Sequence, residues 1–153
     1  MSFARAVTHV LAVEGGYVDN PADPGGATAY GISQRAYPNL DIRSVTPAQA
    51  AQIYNDDYWA PLEGDLLPDA VSFVLLDFAV NSGVRTAVEA LQRAIGVTVD
   101  GKVGPETIAA SRKPGTVTML SVERLLYLTK LAGWPTFGRG WAKRVIDTAL
   151  EAM

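Results

Sequence analysis

"AVSFVLLDFAVNSG", Ala70 to Gly83, is the most apolar stretch in a chain of 153 residues. It is hydrophobic on almost every side, Pro68 opens it and Gly83 closes it. The stretch therefore predicts a central helix buried all round. Asp77 and Asn81 lie one turn apart on that helix. An acid in such a place is read as a satisfied buried group, bonded to a helix end or to an arginine.

The sequence on either side supplies more helices. Upstream, "TPAQ" (Thr46 to Gln49) is a capping box with proline in the first turn, opening a helix that runs to about Trp59. A first helix is expected from a cap at Ser2, with Phe3, Val7, Val10, Leu11 and Glu14 on one stripe and Gly15 as its terminator. "NPADPGG" (Asn20 to Gly26) is turn chemistry and "TAYGIS" reads as extended, so Val18 to Ser33 predicts a loop or small hairpin against that helix end. Downstream, a helix over Arg85 to Ile95 is followed by a tight turn at "VDGKVGP" (Val99 to Pro105) and a short helix opened by Pro105. After a break at "KPG" (Lys113 to Gly115), two more helices are expected at Val117 to Ala132 and Gly138 to Ala152, separated by "GWPTFGRG". The fold class is mainly α, with a small β-hairpin or loop after the first helix. Any boundary between halves falls near Gly83 to Val88.

Composition narrows the function. With 48% apolar and 19% charged residues the chain reads as a globular domain. Zero cysteines exclude disulfides and thiol catalysis, and a single histidine, His9, cannot build a Cys/His zinc site. No metal or cofactor is expected, and the acidic loop does not follow EF-hand spacing. No apolar run approaches the ~20 residues of a membrane span, and "MSFARAVTHV" lacks a signal-peptide pattern, so synthesis in the cytoplasm without a signal peptide is expected. Charge is split: residues 1–100 hold five Arg against twelve acids, and residues 112–153 hold seven Lys and Arg against three acids. Arg139, Lys143 and Arg144 thus form either a patch that attracts an anionic polymer or a solvated helix face. Nucleic acid is not the expected partner, because the whole chain is acidic and basic residues are not interleaved with aromatics.

"VEGGYVDNPADPGGATAYGIS", Val13 to Ser33, carries the chemistry. Glu14 continues an apolar stripe and sits at the negative end of a helix, and both features disfavour its ionised form. A carboxylic acid so placed suits the general acid of glycosidic cleavage. Asp19 and Asp23 lie in a polar loop, the place for an ionised partner, and Gly15, Gly16, Gly25 and Gly26 leave backbone open to a broad polymer. From spacing alone a second reading stands beside this one: Glu14 as a solvated helix-end residue, and Asp19 and Asp23 as Asx-turn residues.

The same stretch resembles the N-terminal signature of the glycoside hydrolase family 108 muramidases, phage-type endolysins with a glutamate in an E-G-G-Y motif. "YNDDYW" (Tyr54 to Trp59) and "DFAVNSG" (Asp77 to Gly83) resemble that family's middle motifs, while "LQRAIGVTVDGKVGPETIAA" (Leu91 to Ala110) and "GRGWAKRV" (Gly138 to Val145) are similar to its C-terminal peptidoglycan-binding region. The resemblance implies a lysozyme-like helical fold and cleavage of the N-acetylmuramic acid to N-acetylglucosamine β-1,4 bond, with Glu14 as the catalytic acid. It implies a lysozyme-like catalytic region over 1–86 and a peptidoglycan-binding helical region over 87–153, packed together as one globular unit. Bacterial peptidoglycan is then the partner of a monomer that acts on the cell wall after holin-type release. Asp23 and Thr28 resemble the later members of the glutamate, aspartate, threonine order of phage lysozymes. In that role Asp23 orients or deprotonates the attacking water and Thr28 holds it, though each can equally hold the loop together.

The remaining candidates have two readings each. Asn81 and Gln92 hydrogen-bond sugar N-acetyl groups, or serve helix ends and inter-helix bonds. Tyr30, Trp59 and Trp141 stack on sugar rings, or fill the core. His9 has no partner visible in sequence and is assigned no role. Two other functions compete with hydrolysis: a lytic transglycosylase, which also needs one acid, and a noncatalytic wall-binding module. Glu14 in its "EGGY" setting argues against the last.

Overall fold

The computed structural model describes residues 2–153, Ser2 by its backbone alone, so the cap expected from Ser2 lies outside the described residues. Helix α1 (Ser2–Glu14) buries Val7 and Val10 of its stripe together with Ala6 beside them, and Phe3 packs against Trp59 at 5.3 Å between ring centroids. Gly15 ends it in the left-handed region, φ +74°, its N–H on the Leu11 carbonyl.

The chain then crosses the loop and forms a hairpin, β1 (Thr28–Ala29) with β2 (Ile32–Ser33), antiparallel in the register Thr28 to Ser33 and Ala29 to Ile32. Ala29 and Ile32 point into the core, and Val18 adds a bridge to Thr28. The two turn residues, Tyr30 and Gly31, both have positive φ, 52° and 79°. A two-residue hairpin turn matched to strand twist needs that backbone, which is uncommon at Tyr30.

The capping box forms as expected: the Gln49 N–H donates to the Thr46 hydroxyl oxygen at 3.2 Å, and the Thr46 N–H donates to Gln49 Oε1 at 2.9 Å. Helix α2 (Pro47–Tyr54) follows and widens into a π-helical turn over Asn55–Trp59. Trp59 is core rather than surface, its Nε1 donating to Asp65 at 3.1 Å and its indole pressed on Gly64.

Helix α3 (Asp69–Ser82) is the buried helix expected, with every residue from Val71 to Ala79 in the interior. It packs against α1 and against α4 (Val84–Ile95), α6 (Thr116–Thr129) and α7 (Trp134–Ala152), while short α5 (Pro105–Ala110) rests on α4. A single apolar cluster extends from Ala6 on α1 to Ala152 on α7.

Two boundaries differ from expectation. Helix α6 stops at Thr129 instead of Ala132. Helix α7 begins at Trp134, a turn earlier than Gly138, because Pro135 is at home in a first helical turn and Gly138 is needed inside the helix. A Cβ at Gly138 would stand 2.6 Å from the Trp134 indole, so the glycine marks close packing and not a break. The 3₁₀ turns at Ile42–Ser44 and Gly64–Leu66 were not anticipated.

Candidate active site

Glu14 is the last residue of α1, and the hairpin turn closes on it. A Cβ at Gly31 would lie 2.9 Å from Glu14 Cγ and 2.7 Å from the Tyr54 hydroxyl, so only glycine fits there. The Tyr54 hydroxyl donates to the Tyr30 carbonyl at 2.5 Å, which clamps the uncommon Tyr30 backbone in place. Burial first, then the charge of Glu14, pushes the Tyr54 phenol above its ordinary range, so it stays a donor. The end of α1, the hairpin and the end of α2 thus meet around one carboxyl.

From the other side comes Arg144. Its Nη2 donates to Glu14 Oε1 at 2.8 Å and to Asp77 Oδ1 at 2.7 Å, and its Nε reaches Asp77 at 3.2 and 3.3 Å. Glu14 and Arg144 keep 22% of their side-chain surface, while Asp77 keeps none. Glu14 was expected against an apolar flank; the structure sets a guanidinium there. Asp77 is a buried acid bonded to arginine, as its setting suggested, and it takes two of them, because Arg124 Nη1 also donates at 2.7 Å. Arg124 is itself buried and lies over the Phe78 ring, 5.1 Å from the centroid.

His9, assigned no role from sequence, lines the same cluster. Its Nε2 is 3.7 Å from Asp77 Oδ1 and its Nδ1 is 2.8 Å from Glu151. Asp77 pushes the His9 imidazole above its ordinary value, burial opposes this, and Glu151 adds to it. Burial alone would raise Asp77, but His9 beside it and the bonds and charges of Arg124 and Arg144 hold its carboxyl far below the ordinary carboxylate range. An anion with this many donors is a fixed anchor.

The other candidates sit at varied distances from this arrangement. Asp23 is exposed, its Oδ1 accepting from the Gly25 N–H at 2.8 Å in an Asx turn. Thr28 stands half-buried on β1, just ahead of the turn that covers Glu14. Tyr30 joins the site through its backbone. Asn81 is exposed near the end of α3, one turn beyond Asp77. Trp141 is half-buried on α7, one turn before Arg144, packed on Trp134 and Phe137 at 6.3 and 5.9 Å.

Gln92 takes the internal role and not the sugar-binding one. It is 1% exposed; its Oε1 accepts from the Asp100 and Gly101 N–H groups, and its Nε2 donates to Asp100, the Lys102 carbonyl and Thr107. No part of the amide is left for a ligand. The basic patch also loses a member: Arg139 is exposed and Lys143 pairs with Asp147, but Arg144 turns inward.

A depression of about 530 Å³ lies over Arg5, Thr8, His9, Ala12, Val13, Asp147 and Glu151, without Glu14 among its walls. The candidate site lies instead around Glu14, where the hairpin, the end of α2 and α7 converge. Among the described residues no cluster of three or more His, Asp or Glu is placed to hold a metal ion, and no helix is long and apolar enough to cross a membrane.

Two family models cover the chain: glycosyl hydrolase 108 over residues 7–83, and a predicted peptidoglycan domain over residues 86–146. No curated protein matches the sequence. Among solved structures, "Structure of Brucella abortus SagA" superposes with a TM-score of 0.87 at 40% identity, covering 98% of this chain and 92% of that one. The first model spans the Glu14 carboxyl, the hairpin and Asp77, the second reaches Arg144, and the chain belongs to the glycosyl hydrolase 108 family.

Proposed function

We propose that this glycoside hydrolase is a lysozyme-type N-acetylmuramidase, a lysozyme-like catalytic region over 1–86 joined to a peptidoglycan-binding region over 87–153. The observation that carries the reading is Glu14: a half-buried carboxyl at a helix end, enclosed by the Tyr30–Gly31 turn, Tyr54 and Arg144, and still open to solvent on one side. Glu14 gives its proton to the oxygen between N-acetylmuramic acid and N-acetylglucosamine as the C1–O bond breaks. A water then supplies hydroxide to C1, and its remaining proton passes to a base. Asp23 and Thr28, in the loop and strand ahead of the Glu14 cover, are the groups assigned to steer that water. Tyr30, Asn81 and Trp141 are assigned to the sugar strand. The protein works as a monomer on the cell wall, which it reaches as a phage-type endolysin through a holin-type pore.

Digestion of purified peptidoglycan tests bond and reaction together. Muramidase products end in reducing N-acetylmuramic acid, which borohydride converts to the alditol. Fragments dominated by 1,6-anhydro ends, lighter by one water and inert to borohydride, would replace hydrolysis by transglycosylation with Glu14 kept as the acid.

A further inference from the structure

We infer that Arg144 is a positioning residue for Glu14: it fixes the carboxyl and decides which of its two oxygens delivers the proton. The inference rests on Glu14 being the acid. Glu14 closes α1, and its side chain has rotatable bonds that the backbone alone does not lock. Gly31 limits the Cβ and Cγ, and Arg144 holds Oε1 at 2.8 Å.

A guanidinium carries only donors. The oxygen facing it must therefore accept, so a proton on Glu14 resides on Oε2. The Arg144 fork is itself immobilised, because Nε and Nη2 both rest on Asp77, which is wholly buried and is gripped again by Arg124 at 2.7 Å and by the Thr148 hydroxyl at 3.3 Å. Position thus passes from the buried anchor on α3, through α7, to the reacting carboxyl at the end of α1. Lysine cannot substitute fully: its ammonium is a point charge without the planar fork that spans two carboxylates.

Arg144→Met and Arg144→Lys are compared with wild type for kcat, KM and Tm, beside Glu14→Gln. In Arg144→Met, kcat falls about 10²-fold, the scale of a misplaced catalytic group, with KM little changed. Arg144→Lys keeps a cation beside Asp77, and its kcat falls by less, a partial rescue by the conservative variant. If Arg144→Met does not fold, the lysine variant decides: reduced kcat at a near-native Tm supports the inference. Rates within a few-fold of wild type in the folded variants, or a change in KM without one in kcat, overturn it. Activity surviving in Glu14→Gln would instead overturn the assignment of the acid, so the two failures are distinguishable.

Discussion

Two turn-rich loops of this chain share an Asp, two Gly and a Pro and use their polar side chains differently. "VDGKVGP" is sealed: Gln92 enters it from α4 and spends both ends of its amide on Asp100, Gly101, Lys102 and Thr107. The side chains of "NPADPGG" serve only the loop itself, Asn20 accepting from Ala22 and Asp23 from Gly25, two residues on in each case, and one backbone bond, from the Arg35 N–H to the Gly25 carbonyl at 3.2 Å, ties the loop to the chain beyond the hairpin. The first loop closes a framework. The second leaves an exposed carboxylate on the approach to the hairpin over Glu14. The presence of Asp and Gly in a turn therefore does not distinguish structure from function; the difference lies in whether a buried partner from another element consumes the polar groups.

The comparison breaks first at Glu14, where the largest effect is expected. Glu14→Gln keeps the shape under the hairpin and removes the transferable proton, so wall lysis falls by ~10²- to 10⁴-fold while the Tm stays close to wild type. Turbidity assays and thermal melts on one preparation check both halves. The sealed loop predicts the reverse. Gln92→Ala strips one side chain that serves five polar groups and costs about 3 kcal/mol, a fall in Tm of roughly 6 to 12 °C, without changing kcat at temperatures where the variant is folded. A kcat loss in folded Gln92→Ala would return it to the sugar site.

Asp23→Asn sharpens the contrast at a smaller scale. Asparagine keeps the Asx turn to Gly25 and removes the charge. If Asp23 steers water, the rate falls by roughly tenfold, the equivalent of a charge-assisted contact of about 1.5 kcal/mol, and the Tm does not move. A normal rate would place "NPADPGG" in the same structural class as "VDGKVGP".

The helices were legible because their signals are local. Pro68 and Gly83 bracket α3, and the Thr46 box starts α2, each through atoms within one turn of the chain. Glycine was the weak point: Gly138 reads as a breaker until the Trp134 indole is seen lying on it. The place of Glu14 at the end of α1 was readable because its motif is contiguous with that helix end. Arg144 was not, since it lies 130 residues away and "GRGWAKRV" equally describes a solvated basic face. His9 was hidden for the same reason, its partners Asp77 and Glu151 being brought to it by α3 and α7. Long-range ion pairs leave no spacing in a sequence, so the half of the site held by them was missing.

The smallest effect separates the two loops by pH. Asp100 is held below its ordinary value by the bond from Gln92 first and then by the Lys102 N–H. A carboxyl depressed in the folded state stabilises above its unfolded value, and that contribution is lost as pH falls through the lower folded value. Asp100 therefore contributes to the acid side of the stability curve, from about pH 4 downward. The contribution is modest, because the group is exposed to solvent. In Asp100→Asn the amide oxygen still accepts from Gln92, so the turn persists while the titrating charge is gone. The variant's Tm should fall less steeply than wild type's between pH 4 and pH 3, with Asp77 supplying the same larger background in both. Gln92→Ala should flatten the same limb, because it removes the first cause of the depression. Parallel wild-type and Asp100→Asn curves through that window would mean that the Gln92 bond does not discriminate the charged form, and the loop would then be closed by neutral hydrogen bonds alone.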